Sequence, residues 1–71
     1  MSSNNAILIR KIGPKIEVRD ICVDTYPDYT GFLIAAIEEN APNSIITAIK
    51  IAQKYLKENV VEYGIKFEGI N

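Results

Sequence analysis

The chain has 71 residues, 48% hydrophobic and 24% charged, with 4 Gly, 3 Pro, one Cys and no His. That length holds one small domain without room for a deep catalytic cleft beside its core. The composition lies well away from disordered and low-complexity chains, and a single Cys without His excludes a disulfide framework and the usual zinc sites. The formal net charge of −1 is the sum of unlike parts. Residues 1–19 hold Arg10, Lys11, Lys15 and Arg19 against Glu17, whereas residues 20–44 hold Asp20, Asp24, Asp28, Glu38 and Glu39 with no base. The remainder is close to balanced. The excess of Lys and Arg by which a dedicated nucleic-acid coat protein neutralises phosphate is therefore missing.

Residues 1–5 are polar and predicted to be a disordered N-terminus, without the basic and apolar regions of a secretory signal. No apolar run approaches the ~18 residues of a membrane span, so the expectation is a cytoplasmic protein with no membrane partner. Ala6-Ile7-Leu8-Ile9 is a β-branched run leading to Gly13-Pro14, and predicts a first strand. Residues 14–26 are ambiguous. Ile16, Val18, Ile21, Cys22 and Val23 favour a strand, with Gly13-Pro14 as a hairpin turn, but the alternation breaks between Val18 and Ile21. As a helix, Pro14 suits the first turn and Glu17 the positive end of the dipole.

Residues 31–37, Gly-Phe-Leu-Ile-Ala-Ala-Ile, predict a second strand whose lack of alternation suggests burial on both faces or a central position. Asn43 or Ser44 is a suitable N-cap for the clearest element, a helix over residues 45–57. On a helical wheel Ile45, Ala48, Ile49, Ile51, Ala52, Tyr55 and Leu56 fall within about 160°, and Lys50, Lys54 and Lys57 form a ridge on the other side. Asn59 is expected to close it as a left-handed cap. Val61, Tyr63, Ile65 and Phe67 then alternate with Glu62, Gly64, Lys66 and Glu68, the period of a strand with one wet face.

This layout, taken with Asn5-Ala6-Ile7-Leu8-Ile9-Arg10-Lys11 and Ile45-Ile46-Thr47-Ala48-Ile49-Lys50-Ile51-Ala52, resembles the Alba family of small archaeal nucleic-acid-binding proteins. The opening strand of that family closes with a basic pair, here Arg10 and Lys11, just before a proline that starts its first helix, here Pro14. The resemblance implies a helix over residues 14–26, against the slight lean of propensity to strand, and that implication is adopted. The expected fold is α+β, a small two-layer sandwich of β-α-β-α-β order over residues 6–71, Alba-like and lacking the fourth strand. Two departures stand out. The family's basic loop before its second helix is here Glu38, Glu39, Asn40 and Asn43, which opposes phosphate, and its long hairpin arm has no counterpart.

Two functional expectations follow. One is a dimeric DNA- or RNA-binding module that contacts phosphates without base readout through Arg10, Lys11, Lys15, Lys50 and Lys54. The other is a protein-interaction or assembly module, a homodimer or a heterodimer with a related protein, supported by the acidic central segment. Convergence of Lys50, Lys54 and Lys57 with Arg10 and Lys11 on one face favours the first, and dispersal favours the second. Tyr55, Tyr63 and Phe67 are expected in the core, leaving Tyr26 and Tyr29 as the aromatics suited to base stacking. Asp20, Asp24 and Asp28 recur every four residues without a calcium loop or a companion nucleophile. Cys22, with no His to activate it, is expected to be a buried thiol. No catalytic residue, metal or cofactor is expected.

Overall fold

The computed structural model describes residues 4–25 and 31–70. Its elements run β1 (Asn5–Ile12), β2 (Lys15–Cys22), a 3-10 turn (Val23–Thr25), β3 (Phe32–Glu38), α1 (Ser44–Glu58) and β4 (Ile65–Glu68). The four strands form one mixed sheet in the order β3-β2-β1-β4, with β1 antiparallel to β2, β2 antiparallel to β3, and β4 parallel to β1. The helix carries the chain from one sheet edge to the other. The protein is thus a small α+β domain, but the expected β-α-β-α-β order and three-strand count are both corrected.

The correction begins at residues 14–26, where the expected first helix is instead β2 and the 3-10 turn over the described part. Gly13 has a φ of 57° and is followed by a proline, whose ring holds φ negative. These are the signs a two-residue type II′ hairpin turn requires. The hairpin pairs Ile12 with Lys15, Arg10 with Glu17 and Leu8 with Arg19. Ile16, Val18 and Asp20 therefore face the helix, and Glu17, Arg19 and Ile21 face away. The alternation fails in sequence because each face breaks the simple pattern once. Asp20 is polar on the helix side, where its carboxylate accepts from the Tyr55 hydroxyl at 2.7 Å and from the Asn5 amide at 3.1 Å. Ile21 is apolar on the open side, buried with Ala6 and Leu8 in a small second cluster against Val23.

β3 lies at an edge, so the expectation of two-faced burial or a central position is also corrected. Its register slips between Val18 and Arg19, which pair with Ala35 and Leu33 respectively. Ile34 is the extra residue of a bulge, and the run reads as unbroken hydrophobicity because the bulge shifts the alternation partway along.

The main core joins Ile7, Ile9, Ile16 and Val18 of the sheet to Ala48 and Ala52 of the helix, with Ile34, Ile37, Ile49, Tyr55, Leu56 and Ile65 packed around them. The small alanines let α1 approach the sheet closely, mainly over β2, with β3 and β1 to either side. Asn43 precedes the helix at φ 58° without a side-chain cap. Ser44 is buried and donates its hydroxyl to the Glu39 carbonyl at 3.0 Å. The expected left-handed cap at Asn59 is not formed. That residue is extended, at φ −138°, and its side-chain amide donates to the Tyr55 carbonyl at 3.1 Å.

β4 is shorter than the strand expected over residues 61–68. Gly64, at φ 70°, separates it from a segment tied to the start of β1. Tyr63 N–H donates to the Asn5 carbonyl at 3.0 Å, and the Asn5 amide donates to the Val60 carbonyl at 3.2 Å. No described helix is long and apolar enough to cross a membrane.

Candidate functional site

The expected basic patch does not assemble on one face. Strand alternation puts Arg10 and Lys15 on the face of the sheet away from the helix and Lys11 on the helix side. Lys50 and Lys54 stand exposed on α1, which covers the opposite face from Arg10. Lys57 is exposed with them.

Three of these six cations also face carboxylates. Arg10 Nε lies 3.1 Å from Glu17 Oε1, Lys11 Nζ 2.9 Å from Glu39 Oε2, and Lys15 Nζ 3.3 Å from Glu38 Oε1. The basic segment and the acidic segment, read separately in the sequence, are thus brought together by the β2-β3 pairing and the turn that follows. Among its described residues, the acidic segment is not a surface waiting for a basic partner. Glu38 and Glu39 lie against lysines, Asp20 holds Tyr55 and Asn5, and Asp24 accepts from the Asn4 side chain.

The deepest of these clusters, on the open face, was not anticipated. Glu17 sits between two arginines, accepting from Arg10 Nε at 3.1 Å and from Arg19 Nε at 2.8 Å on the same oxygen, with Arg19 Nη2 at 3.3 Å from the other. Its side chain is only 15% exposed. The Arg19 hydrogen bond, followed by Arg10, holds the Glu17 carboxyl below its usual value against the opposing effect of burial, and Glu17 in turn raises Arg19. A hairpin closing on Gly13-Pro14 pairs residues symmetrically about that turn and places Arg10 opposite Glu17, so the signal was present once the hairpin was preferred to a helix.

Because the Glu17 pKa is lowered on folding, its contribution is present above the ordinary carboxylate value of 4.5 and is lost as pH falls through the folded value. Glu17→Gln is expected to cost about 1.5 kcal/mol at neutral pH, by leaving two neighbouring guanidinium groups without their shared acceptor. That corresponds to a fall in Tm of roughly 6–12 °C. In thermal melts followed from neutral to acid pH, the variant should also lose stability less steeply than the parent chain below about pH 4.5. Equal acid limbs would show that this carboxylate does not carry the dependence.

The helix-side pocket, about 310 Å³, is lined by Lys11, Ile16, Glu39, Ser44, Ile45, Gly69 and Ile70. Its polar groups are engaged with each other through the Lys11–Glu39 pair and the Ser44 hydroxyl on the Glu39 carbonyl. No group of three or more metal-ligating side chains is gathered among the described residues. Cys22, expected to be buried, is exposed at the last position of β2.

Apolar exposure is what distinguishes the two sheet edges. Phe32 on β3 is 64% exposed, beside Leu33. At the other edge Phe67 is 51% and Tyr63 50% exposed, and Val60 is 81% exposed. The expectation that Tyr63 and Phe67 pack in the core is therefore corrected. Phe67 does lie on the helix side of the sheet, in register with Ile9, but α1 packs over the other three strands. Tyr55 is half-buried and bonded to Asp20 as an internal strut, which raises its phenol above the usual value. Tyr26, Tyr29 and Asp28 lie outside the described residues. Compared with protein-family models, curated proteins and solved structures, the chain finds no match.

Proposed function

We propose that the chain is a small protein-interaction or assembly module that makes its contacts through apolar residues at the sheet edges. The observation supporting this reading is the dispersal of the basic residues. Arg10 and Lys15 are separated by the sheet from Lys50 and Lys54, and Arg10, Lys11 and Lys15 are each opposed by a carboxylate. A phosphate entering beside any of these three would have to displace Glu17, Glu39 or Glu38 or accept its repulsion. Exposed Phe32, Tyr63 and Phe67, by contrast, gain from being covered by another protein surface.

The competing proposal, phosphate contact as the Alba resemblance implies, rests on the Lys50, Lys54 and Lys57 ridge. No ion pair engages these three lysines among the described residues. One titration separates the readings. Labelled duplex DNA and single-stranded RNA are followed by fluorescence anisotropy as protein is added, from about 50 to 200 mM salt. The expected result is no saturable binding at micromolar protein. Three phosphate contacts would instead give a slope of about −2.7 in log affinity against log salt on duplex DNA, and such a slope, flattened in Lys50→Ala/Lys54→Ala, would overturn the interaction reading.

A further inference from the structure

We infer that the β4 edge pairs with the β4 edge of a second copy of this chain, antiparallel about a two-fold axis at Phe67. The inference rests on the interaction-module reading and names the partner for one of the two edges.

The backbone geometry comes first. β4 ends the sheet order, so one side of it has no strand neighbour among the described residues. Ile7 pairs with Ile65, and Ile7 N–H donates to the Gly64 carbonyl at 2.8 Å. In a parallel ladder this arrangement aims the peptide groups of Lys66 and Glu68 at β1 and those of Ile65 and Phe67 off the edge. A second strand meeting this edge must therefore engage Ile65 and Phe67, and a two-fold axis at Phe67 satisfies that condition. The two Phe67 residues exchange both backbone hydrogen bonds across the axis, and the pairing ends where Gly69, at φ 71°, leaves the strand.

The side chains then select the register. With Phe67 opposite itself, Lys66 of each copy lies directly opposite Glu68 of the other. Both belong to the open face, at non-hydrogen-bonded positions where side chains approach most closely. Neither residue has an ion pair among the described residues, and both are exposed. Sliding the pairing by two residues in either direction sets Lys66 opposite Lys66 or Glu68 opposite Glu68, which repels. A slip that changes the sum of the paired positions by one would mismatch the two faces of the joined sheet. On the helix side the chosen register brings the two Phe67 rings together over the strip that α1 leaves uncovered.

The β3 edge has no such self-complementarity. Glu38 is its sole charged residue, so no register gains an ion pair, and the bulge at Ile34 disturbs the edge a second strand would need.

Light scattering on a sizing column, over protein concentrations from about 1 to 500 µM, tests the inference, the range being that of weak, transient interfaces. The parent chain should dimerise. Lys66→Glu should weaken the dimer about tenfold or more, because two attractive cross-strand pairs become repulsive. The exchanged variant Lys66→Glu/Glu68→Lys should restore it to within about threefold, and circular dichroism on each variant checks that the fold is kept. An equimolar mixture of Lys66→Glu and Glu68→Lys chains should form a heterodimer tighter than either alone.

A parent chain that stays monomeric throughout overturns the inference. A dimer indifferent to both Lys66→Glu and the exchange overturns it too, while leaving the interaction-module reading in place through another surface. A monomer that binds DNA or RNA with a steep salt slope overturns both.

Discussion

Gly31→Ala is expected to destabilise the domain by about 3 kcal/mol, a loss comparable to strained or overpacked sites in other small domains. Gly31 enters β3 with φ at 31°, a conformation that L side chains rarely adopt. Space is the harder constraint. A Cβ placed on Gly31 would overlap the Asp20 carbonyl oxygen and lie 3.0 Å from the Ile21 Cα. Both are backbone atoms of β2, so no side-chain rotation relieves the overlap. Either the β2-β3 register opens at its Asp20–Phe32 end or the chain before β3 moves away from the sheet. A domain of this length has a total stability of roughly 4–10 kcal/mol, so the variant should melt roughly 12–24 °C lower or fail to fold at 37 °C. Gly13→Ala provides the comparison. Its φ is 57°, but an added Cβ meets nothing within 4 Å, so only the backbone term applies and about 1 kcal/mol should be lost. Equal losses at the two positions would show that the close approach to Asp20 is not what requires Gly31.

Ile9→Ala should cost about 3–4 kcal/mol, in the upper part of the range for truncating a buried isoleucine. Ile9 is fully buried on β1, in register with Val18 on one side and Phe67 on the other. It faces the layer filled by Ala48 and Ala52 of the helix. Alanines carry no further side-chain atoms to lean into the space, so the cavity left by Cγ1, Cγ2 and Cδ1 cannot collapse far. Leu33→Ala, at a residue 44% exposed on the edge strand, should cost under about 1 kcal/mol. Urea denaturation of both variants checks the contrast. A small loss at Ile9 would mean the helix settles onto the sheet once the side chain is shortened.

How much of this was legible differs by element. The helix was, because thirteen residues of apolar periodicity with lysines on one side leave no alternative, and the structure extends it by one residue at each end. The first and second strands were also legible as strands, since β-branched runs bounded by Gly-Pro and by a loop-forming cluster are strong local signals. Residues 15–22 were assigned to a helix on the family resemblance, against a lean of propensity to strand that was slight because Asp20 and Ile21 each sit on the face their polarity argues against. Asp20 is acceptable on the helix side only because Tyr55, distant in sequence, and Asn5 supply hydrogen bonds, and Ile21 is acceptable on the open side only because Ala6 and Leu8 are beside it. Neither compensation has a local signature.

The same distinction governs the candidate site. Counting charges by segment showed a basic stretch followed by an acidic one, but not that Lys11 would meet Glu39 and Lys15 would meet Glu38, which depends on β2 and β3 being neighbours. β4 was recognised by its alternation, yet its apolar side was taken for core. Whether Phe67 is covered depends on where the helix lies across the sheet.

By itself, then, the sequence determined that the chain is a small α+β domain with one amphipathic helix and β-branched strands. Periodicity and turn chemistry act over a few residues and are written in adjacent positions. The tertiary structure alone decided which strands are neighbours, which cations are opposed by carboxylates, and which strand is left beside the helix with its aromatic residue exposed. Those outcomes follow from pairing between segments far apart in the chain, where register and layer position set the energies and local composition carries no record of them.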